Sequence, residues 1–533
     1  MSIKTLVIGL DGATFDVLDP LMKSGVMPFL RSFLEQGTRA GLRTIIPALT
    51  PPAWTSLMTG RRPGDHGVFD FFRRDSSDGY HIRFFSSNDV GVETIWSLAA
   101  ASGLRITSLN FPSMFPAPKL PGFIVPGWVP WRQLRLACWP ERLFDDLKQT
   151  LPSFNPRELA MDIGLEEQAT EGCSSEAELG PWIDLHRRRE ENWFDIFRAL
   201  TEREPSDLTA VVFDGVDKLQ HLCWRFIRPE DATPLTEPWE LELRERCLAY
   251  YRHVDTVIQR MTKLAGPEAT VLLVSDHGFQ PSRSVFHVNA WLAQLGYLAW
   301  TENAMQSAPG KTLGVSQVAR HTWQLDWTVT KAFAATPTSN GLFIVVNRDG
   351  NSPGIALEQY ESFRDELIAK LQTIHDPVTG NQVVVGAHKR EDIFGEAQRE
   401  FAPDITLELH DGGLVSILRS EHVISQRPVT SGFHAPIGIF GAKGPGIRSG
   451  HSGEQISILD IAPIVMHTLG LPVDADMEGC VPPDIFEEGV LEARPVRRAR
   501  YARAATDAAP AAEMTEEDQQ IVLDRLRQLG YVE

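Results

Sequence analysis

The stretch TVLLVSDHGF, residues 270–279, joins an uninterrupted apolar run to Asp276, His277 and Gly278. An apolar run of this kind without alternation is typical of a strand that is covered on both faces, as in a parallel sheet. Glycine allows a sharp turn after the strand, which leaves both preceding side chains at the edge of the sheet. The stretch therefore predicts a buried strand whose carboxyl end presents an aspartate and a histidine.

Two earlier runs repeat this pattern. Residues 4–10 end at Asp11, and residues 208–213 end at Asp214. Apolar residues at steps of three and four predict a helix over about 240–264, and strands that alternate with helices indicate an α/β fold. We therefore expect a mostly parallel central sheet covered by helices on both faces. Because ligands of such sheets collect at the carboxyl ends of strands, the three acidic ends should meet at one edge.

The domain organisation follows from the positions of these strands. We expect one catalytic domain over residues 1–490, in which two segments of different composition are insertions that form lids or caps. A polar tail with a terminal helix follows the domain. We assign the core to 1–110, 205–300 and 430–485. The insertions are 112–200 and 300–430, and the tail is 491–533.

Composition excludes several classes of protein. The 533 residues are 43% apolar and 23% charged, which is ordinary for a globular chain and excludes a disordered or collagenous one. No apolar run approaches the ~20 residues that span a bilayer. The net charge of −19 does not favour nucleic acid or an anionic membrane as a partner. Five widely spaced cysteines without a CxxC pair are typical of reduced thiols, so we expect a cytoplasmic protein.

The acidic strand ends are accompanied by further candidate metal ligands. Asp217 and His221 are four residues apart after the second strand, a spacing that places both on one face of a helix. Taken singly, such residues are more often a surface pair, a turn or a packing histidine. Together they supply three carboxylates and three imidazoles, enough for two divalent ions, with zinc favoured and manganese or iron possible. The six candidates are Asp11, Asp217, His221, Asp276, His277 and His434.

Thr50 is the candidate nucleophile. It lies in IPALTPPAWTSLMTG, residues 46–60, where we predict Thr50 as a helix N-cap and Pro51 as the first helical residue. The ordinary structural explanation is a capping threonine that starts a buried helix. The functional explanation is a hydroxyl at the positive end of a helix dipole, beside free N–H groups that could bind phosphate oxygens.

Five motifs in this order resemble the alkaline phosphatase superfamily, and specifically its type I phosphodiesterase/nucleotide pyrophosphatase branch. They are IGLDGA at Asp11, TPPAWTSLMTG with PGDHGVFDF after it, DGVDKLQH, SDHGF and GFHAP. The resemblance runs from residue 4 to about 485 and implies an alkaline-phosphatase-like fold. It also implies a metal-dependent phosphohydrolase that cleaves a phosphodiester or pyrophosphate bond of a small phosphorylated substrate through a covalent phosphothreonine.

The resemblance further implies a division of the ligands. Asp11, Thr50, Asp276 and His277 would hold one metal, and Asp217, His221 and His434 the other. Asp214 competes with Asp217 as a ligand, although Asp217 matches the family's D-x-x-x-H spacing. Related nucleotide pyrophosphatases carry an asparagine three residues after the nucleophile, whereas this chain has Ala53, so the contacts to the phosphoryl oxygen must differ.

Thr50 and its surroundings also separate this chain from relatives. Sulfatases of the superfamily need a cysteine or serine that becomes formylglycine, which threonine cannot supply. Phosphomonoesterases often clamp their dianion with an arginine near the nucleophile, and none lies between Thr50 and Gly60. A phosphodiester is therefore favoured. The alternatives are a phosphomonoesterase, a phosphomutase-like phosphotransferase, or a metal-free binding protein in which these residues are remnants.

Substrate contacts are less defined. Trp128, Trp131 and Trp139 could stack on a base or cover the site, but a hydrophobic plug under a long loop is the more frequent role of such residues. Arg348 follows a predicted strand and could contact the substrate, although an arginine in a turn is usually solvated.

Overall fold

A computed structural model describes residues 2–501, except for 75–81, 130–131, 160–175, 233, 302–320, 337 and 349–352. The predicted terminal helix of the tail lies outside the described residues. Helices of at least seven residues are numbered α1 to α11: Phe15–Lys23, Pro28–Glu35, Thr50–Thr59, Ile95–Ala101, Leu143–Thr150, Glu176–Arg203, Gly215–Ile227, Pro238–Ala265, Val288–Gln294, Tyr360–Leu371 and Ile461–Thr468.

The strands are numbered in chain order. Those up to the middle of the chain are β1 Thr5–Leu10, β2 Thr38–Arg43, β3 Phe72–Arg74, β4 Ile82–Phe84, β5 Ile106–Leu109, β6 Gly122–Val125, β7 Leu208–Phe213, β8 Thr270–Val274, β9 Gly278–Phe286, β10 Ala332–Phe333 and β11 Gly341–Ile344. The remaining strands are β12 Val346–Asn347, β13 Ile355–Ala356, β14 Val384–Lys389, β15 Ile405–Leu409, β16 Ile424–Ala435, β17 Ile437–Lys443, β18 His451–Ser452, β19 Ile456–Ser457, β20 Val473–Asp474 and β21 Arg498–Ala499.

The central sheet has the order β18-β2-β17-β8-β1-β7-β5-β6, with β19 paired to β2. Strand β1 runs parallel to both of its neighbours, and β17 is antiparallel to β8 and β2. Every side chain of β1, β7 and β8 is buried, as expected of strands covered on both faces. The predicted α/β class with a mostly parallel sheet is confirmed.

The register of these strands explains how the acidic ends meet. Leu10 pairs with Phe213, and Gly9 pairs with Val274, so β1, β7 and β8 stop at the same level. The residues that follow, Asp11, Asp214 and Asp276, therefore leave the sheet at one edge.

A long β-ribbon brings His434 to this edge from the far end of the chain. Strand β9 continues directly from the β8 turn and pairs antiparallel with β16, in a register that places His434 opposite Phe279. The segment between them contains the smaller sheet β10-β11-β15-β14 and helix α10, which have their own apolar core. The strand that follows His277 thus positions His434, from a distant part of the chain. It does so because β9 and β16, at the two ends of the second insertion, are strands of one ribbon.

The first insertion differs from its predicted extent. Strand β6 falls within 112–200, yet it pairs in parallel with β5 and forms the edge of the central sheet. Helix α6 lies in the same segment, and its apolar side chains join the core that packs on β1 and β7. The proline-rich composition around these elements hid their regular structure. Within the described residues, no helix combines the length and apolarity needed to cross a membrane.

Candidate active site

Helix α3 places Thr50 against the edge of the sheet. The helix begins at Thr50 itself, with Leu49 as the N-cap, so the predicted N-cap position is one residue too late. Pro51 and Pro52 have no N–H, and the Ala53 amide donates to the Leu49 carbonyl. Three of the first four helical positions therefore offer no free N–H. The prediction of free N–H groups beside the Thr50 hydroxyl is wrong for these positions. The Thr50 side chain is buried and turns towards His277.

The first group of candidate ligands surrounds the Thr50 hydroxyl. We call Asp11, Asp276 and His277 the first triad; their ligand atoms lie within 4.8 Å of one another. His277 Nε2 lies 3.2 Å from Thr50 Oγ1, 3.2 Å from Asp276 Oδ2 and 3.7 Å from Asp11 Oδ1. Since His277 Nδ1 donates to the Gly278 carbonyl at 3.1 Å, Nε2 of the neutral ring carries a lone pair towards the two carboxylates.

The second group joins helix α7 to the ribbon. We call Asp217, His221 and His434 the second triad, which obeys the same 4.8 Å criterion. The Nε2 atoms of the two histidines are 3.2 Å apart, and Asp217 Oδ1 lies 3.4 Å from one and 3.3 Å from the other. Each ring donates its Nδ1 proton to a carbonyl, that of Gly432 or that of Ala48. Both Nε2 lone pairs of the neutral rings therefore converge on the same space.

Burial and charge shift the pKa values in these triads in different directions. Burial, followed by the charges of Asp276 and Asp217, holds the pKa of Asp11 well above its ordinary value. Burial raises the pKa of Asp276 to about 8. Burial would also raise the pKa of Asp217, but the charge and hydrogen bonds of His221 and His434 outweigh it and lower that pKa. Burial and the neighbouring His434 lower the pKa of His277 well below its usual range.

The donor sets of both triads fit divalent cations. Asp11 Oδ1 and Asp276 Oδ2 are buried and have no hydrogen-bond partner among the described residues. Lone pairs of three imidazoles and three carboxylates face one another, an arrangement that repels itself unless a cation lies between them. The two triads adjoin, since the His277 and His434 rings stack with centroids 3.5 Å apart. The carbonyls that orient each ring are the usual outer partners of metal-binding histidines.

Asp214 belongs to neither triad. Its carboxylate pairs with Lys218 at 2.7 Å and with Arg189 at 3.4 Å, on a face of α7 next to the one that bears the ligands. The sequence left Asp214 and Asp217 as competing ligands, and only Asp217 lies with His221 and His434. Gln220 is a site residue that the sequence does not indicate; its amide donates to the Gly12 carbonyl at 2.8 Å and so ties α7 to the loop after Asp11. A spacing of three from Asp217 gives no signal for such a contact.

A second hydroxyl–imidazole pair, Ser56 and His66, lies nearby but is not arranged for catalysis. His66 Nδ1 accepts the Val68 amide proton, so its Nε2–H donates to Ser56 Oγ at 2.9 Å. Burial lowers the pKa of His66 to about 3, which keeps the ring neutral. Because the nitrogen facing Ser56 already carries a proton, His66 cannot take one from it. The pair instead joins α3 to the following turn.

Among the remaining sequence candidates, Trp128 lines an apolar recess beside Thr50. The recess has about 460 Å³ of open space and is lined by Pro51, Phe71, Phe115 and Trp128, among others. Trp139 lies elsewhere and donates to the Leu120 carbonyl, and Trp131 lies outside the described residues. Arg348 is exposed.

The two arginines after α3 are engaged far from the hydroxyl. Arg61 pairs with Asp476 at 3.2 Å, and Arg62 pairs with Glu478 at 2.6 Å. These pairs join the end of α3 to the C-terminal part of the domain.

Comparisons with known proteins agree with this fold. A family model for type I phosphodiesterase/nucleotide pyrophosphatase matches residues 5–435. The structure of murine ectonucleotide pyrophosphatase/phosphodiesterase 5 is similar, with a TM-score of 0.50 and 13% identity, covering 91% of this chain and 100% of that one. A phosphonoacetate hydrolase from Sinorhizobium meliloti 1021, in complex with phosphonoacetate, gives 0.47 and 14%, covering 88% and 95%. A sequence search against curated proteins finds no match. At such identities the murine structure supports the fold alone.

Proposed function

The chain belongs to the type I phosphodiesterase/nucleotide pyrophosphatase family and is a phosphoric ester hydrolase, and on this premise we propose that Thr50 is its nucleophile. The reaction is cleavage of a phosphodiester or pyrophosphate bond in a small phosphorylated substrate. The observation that carries the proposal is the position of the Thr50 hydroxyl, which is buried and 3.2 Å from His277 Nε2, where the ligands of the first triad converge.

The family is one of divalent-metal-dependent enzymes, and the two triads fit two such ions. Asp11, Asp276, His277 and Thr50 would hold one, and Asp217, His221 and His434 the other. Mixed nitrogen and oxygen donors favour zinc, with manganese or iron as alternatives. Bound ions would lower the pKa of a coordinated hydroxyl and offset the charge that develops on the phosphoryl oxygens.

The proposed reaction has two steps, and Thr50 takes part in both. Thr50 Oγ1 attacks phosphorus in line with the leaving oxygen, and a phosphothreonine ester forms as the leaving group departs. Water then attacks the ester from the side that the leaving group vacated, which frees inorganic or monoester phosphate and restores Thr50. Each displacement inverts the configuration at phosphorus, so the two together retain it. His277, held by the Gly278 carbonyl, keeps the hydroxyl facing the triad throughout.

The surroundings of Thr50 support a diester over a monoester. The recess that begins at Pro51 is lined mainly by apolar residues, several of them aromatic, and the two arginines that follow α3, Arg61 and Arg62, are paired with acidic residues at the other end of that helix. A monoester dianion needs more positive charge than a diester monoanion. The apolar recess instead suits the esterifying group of a diester.

The domain division and the compartment remain part of this proposal. We place one catalytic domain over 1–490, in which β6 and α6 extend the core past residue 112 and the segment 300–430 is an insertion. Cys138, Cys223 and Cys247 are buried free thiols, which supports a reducing compartment such as the cytoplasm.

The test compares Thr50→Ala with Thr50→Ser. Both variants should fold and keep most of their metal, because the first triad retains three other ligands. Thr50→Ala should lose most turnover of an aryl phosphodiester, whereas Thr50→Ser should keep part of it. A chiral phosphorothioate diester should be hydrolysed with retention. Full turnover by Thr50→Ala, or inversion at phosphorus, removes Thr50 from the mechanism, and a preference for aryl monoesters in the same assay replaces the diester assignment.

A further inference from the structure

Helix α7 has a second buried polar face beside the one that bears the candidate ligands. Lys218 Nζ lies 2.7 Å from Asp214 Oδ2, and the two side chains are 1% and 2% exposed. Lys218 directly follows Asp217, so the two side chains are separated by about 100° around the helix axis. The ion pair and the ligand pair of Asp217 and His221 therefore occupy adjoining faces of one helical turn.

The two long helices of the same layer complete this buried cluster. Arg189 of α6 approaches both carboxylate oxygens of Asp214 at 3.4 Å. The next residue, Glu190, accepts the Gly215 amide at 3.1 Å and the Tyr250 hydroxyl at 2.8 Å, the latter from α8. The first turn of α7 is thus held by charged and polar groups from both neighbours, where apolar packing is the usual solution.

Stability alone does not account for such a cluster. Removing charges from water costs several kcal/mol per ion, and well-packed apolar residues of similar volume are often as stabilising as a buried ion pair. A buried ion pair does, however, fix geometry, because Lys218 and Arg189 must both reach the same carboxylate. Gln220 acts on the other side of α7 through its bond to the Gly12 carbonyl. Rotation of the helix about its own axis is therefore opposed from two sides.

Such rotation would move the ligands of the second triad. Side-chain ends lie roughly 6 Å from a helix axis, so a turn of ~10° displaces them by about 1 Å. Metal–ligand distances are met only within about 0.2 Å. A small rotation of α7 would therefore separate Asp217 and His221 from His434, which lies on the ribbon and would not follow.

We propose that Arg189, Asp214 and Lys218 are positioning residues that set the metal affinity of the second triad by fixing the rotation of α7. This inference rests on the proposed function, since it requires that the triad binds a divalent ion. None of the three residues contacts the substrate or the ion in this arrangement. They act through the orientation of Asp217 and His221.

The test measures zinc binding by Lys218→Met, with zinc alone as the probe and a competing chelator to set the free concentration. The wild-type protein should bind two ions per chain. In Lys218→Met, the affinity for one ion should fall ~10–100-fold, as is typical when residues that orient the ligands are lost. The affinity for the other ion should be unchanged. Combination with His434→Ala should cause no further loss, because both changes weaken the same site.

Asp255→Asn is the matched control. Asp255 is also a buried carboxylate on a long helix, but it accepts the Phe29 and Leu30 amides at the start of α2 and lies outside both triads. This variant should lose stability and keep both zinc affinities. Equal zinc loss in Asp255→Asn and Lys218→Met would overturn the proposal, since general destabilisation would then explain both.

The outcomes separate this inference from the proposed function. A wild-type protein that binds no divalent ion refutes both, whereas two ions bound by Lys218→Met with wild-type affinity refutes only the positioning role. If Lys218→Met does not fold, the triple variant Arg189→Met/Asp214→Leu/Lys218→Met decides, because it removes all three charges of the buried group together. It should fold and still bind the second ion ~10–100-fold more weakly, and wild-type affinity in this variant would overturn the proposal.

Discussion

The two triads differ in how their buried charge is balanced. The first contains two carboxylates and one imidazole; burial and the charges of Asp276 and Asp217 raise the pKa of Asp11, and burial raises the pKa of Asp276. The second contains one carboxylate between two imidazoles, which lower its pKa. The first triad thus needs an external cation to ionise fully, whereas the two neighbouring imidazoles already favour the ionised form of the carboxylate in the second. Metal binding should therefore matter differently to the two.

The largest expected effect is on turnover when the first triad loses a carboxylate. Asp276→Asn should reduce hydrolysis of an aryl phosphodiester by about 10³-fold or more, since the charge that supports the Thr50 oxyanion is lost along with an ion worth several kcal/mol. The measurement is kcat at saturating substrate, with bound metal determined on the same sample. A variant with one ion fewer and near-normal turnover would show that the first triad does not serve the nucleophile.

The second prediction concerns the metal-free protein, where the two triads should respond with opposite signs. Asp276→Asn should raise the free energy of unfolding, because it removes a buried charge that repels Asp11. Asp217→Asn should lower it by about 2 kcal/mol at a pH where His434 carries a second proton, because Nε2 of the ring then donates a charge-assisted hydrogen bond to Asp217.

Chemical denaturation in the presence of a chelator measures the Asp276→Asn change near pH 8, where the Asp276 carboxylate is half ionised, and the Asp217→Asn change in acid, below the lowered pKa of His434. In Asp276→Asn the side-chain carbonyl of the new amide can still accept the Gly12 amide proton, so that hydrogen bond is not a confounding loss. Changes of the same sign in the two variants would remove the contrast between the triads.

The third prediction assigns histidines to ions. His221→Ala and His434→Ala should each weaken the same ion by about 100-fold or more, at least as much as the loss of an outer partner, and the double variant should bind it little worse than either alone. His277→Ala should weaken the other ion. Isothermal titration of the metal-free variants with zinc distinguishes these patterns, and equal weakening of both ions by any single change would mean that the triads are one shared site.

The contrast between the triads also separates what the sequence could predict from what it could not. Strand ends such as SDHGF and LDG are local patterns. The sheet, and the meeting of Asp11 and Asp276 at its edge, could therefore be predicted from the uninterrupted apolar runs that precede them. The pairing of His434 with this edge depends on the β9–β16 ribbon, and only the family resemblance indicated it. The Lys218–Asp214–Arg189 cluster lies between two consecutive helices, α6 and α7, but the sequence does not show that they pack there, and an i,i+4 charge pair ordinarily lies on a solvated face.

Strand β6 was missed for a related reason. Its four residues, GFIV, form a short run inside a proline-rich segment, and a run of this length does not reveal whether it adds to an existing sheet. Its neighbour β5 was assigned to the core, and only the three-dimensional pairing extends that core past residue 112.

The smallest expected effect comes from Asp70, a buried carboxyl outside both triads that has hydroxyl partners and no cation among the described residues. Its oxygens accept from Thr336 and Thr338 of the second insertion and from the Phe71 amide. Burial raises its pKa to about 6, although these hydrogen bonds oppose the rise. Since the unfolded value is about 3.9, the folded state binds the proton more tightly, and stability should fall as pH rises from about 4 to 6 and then level off. Between pH 5 and 7 the loss should be about 1 kcal/mol.

Asp70→Asn should abolish this part of the pH dependence without breaking the contact. An amide at this position can donate to Thr336 Oγ1, whose own proton can then turn to Ser339 Oγ at 3.1 Å. Thr338→Val should steepen the dependence, because it removes a bond that stabilises the charged form. Urea denaturation of the three proteins at pH 5 and 7 measures the difference, with metal held constant. An unchanged pH slope in Asp70→Asn would mean that hydroxyl donors alone balance a buried carboxylate, and the first triad's need for a cation would then require another cause.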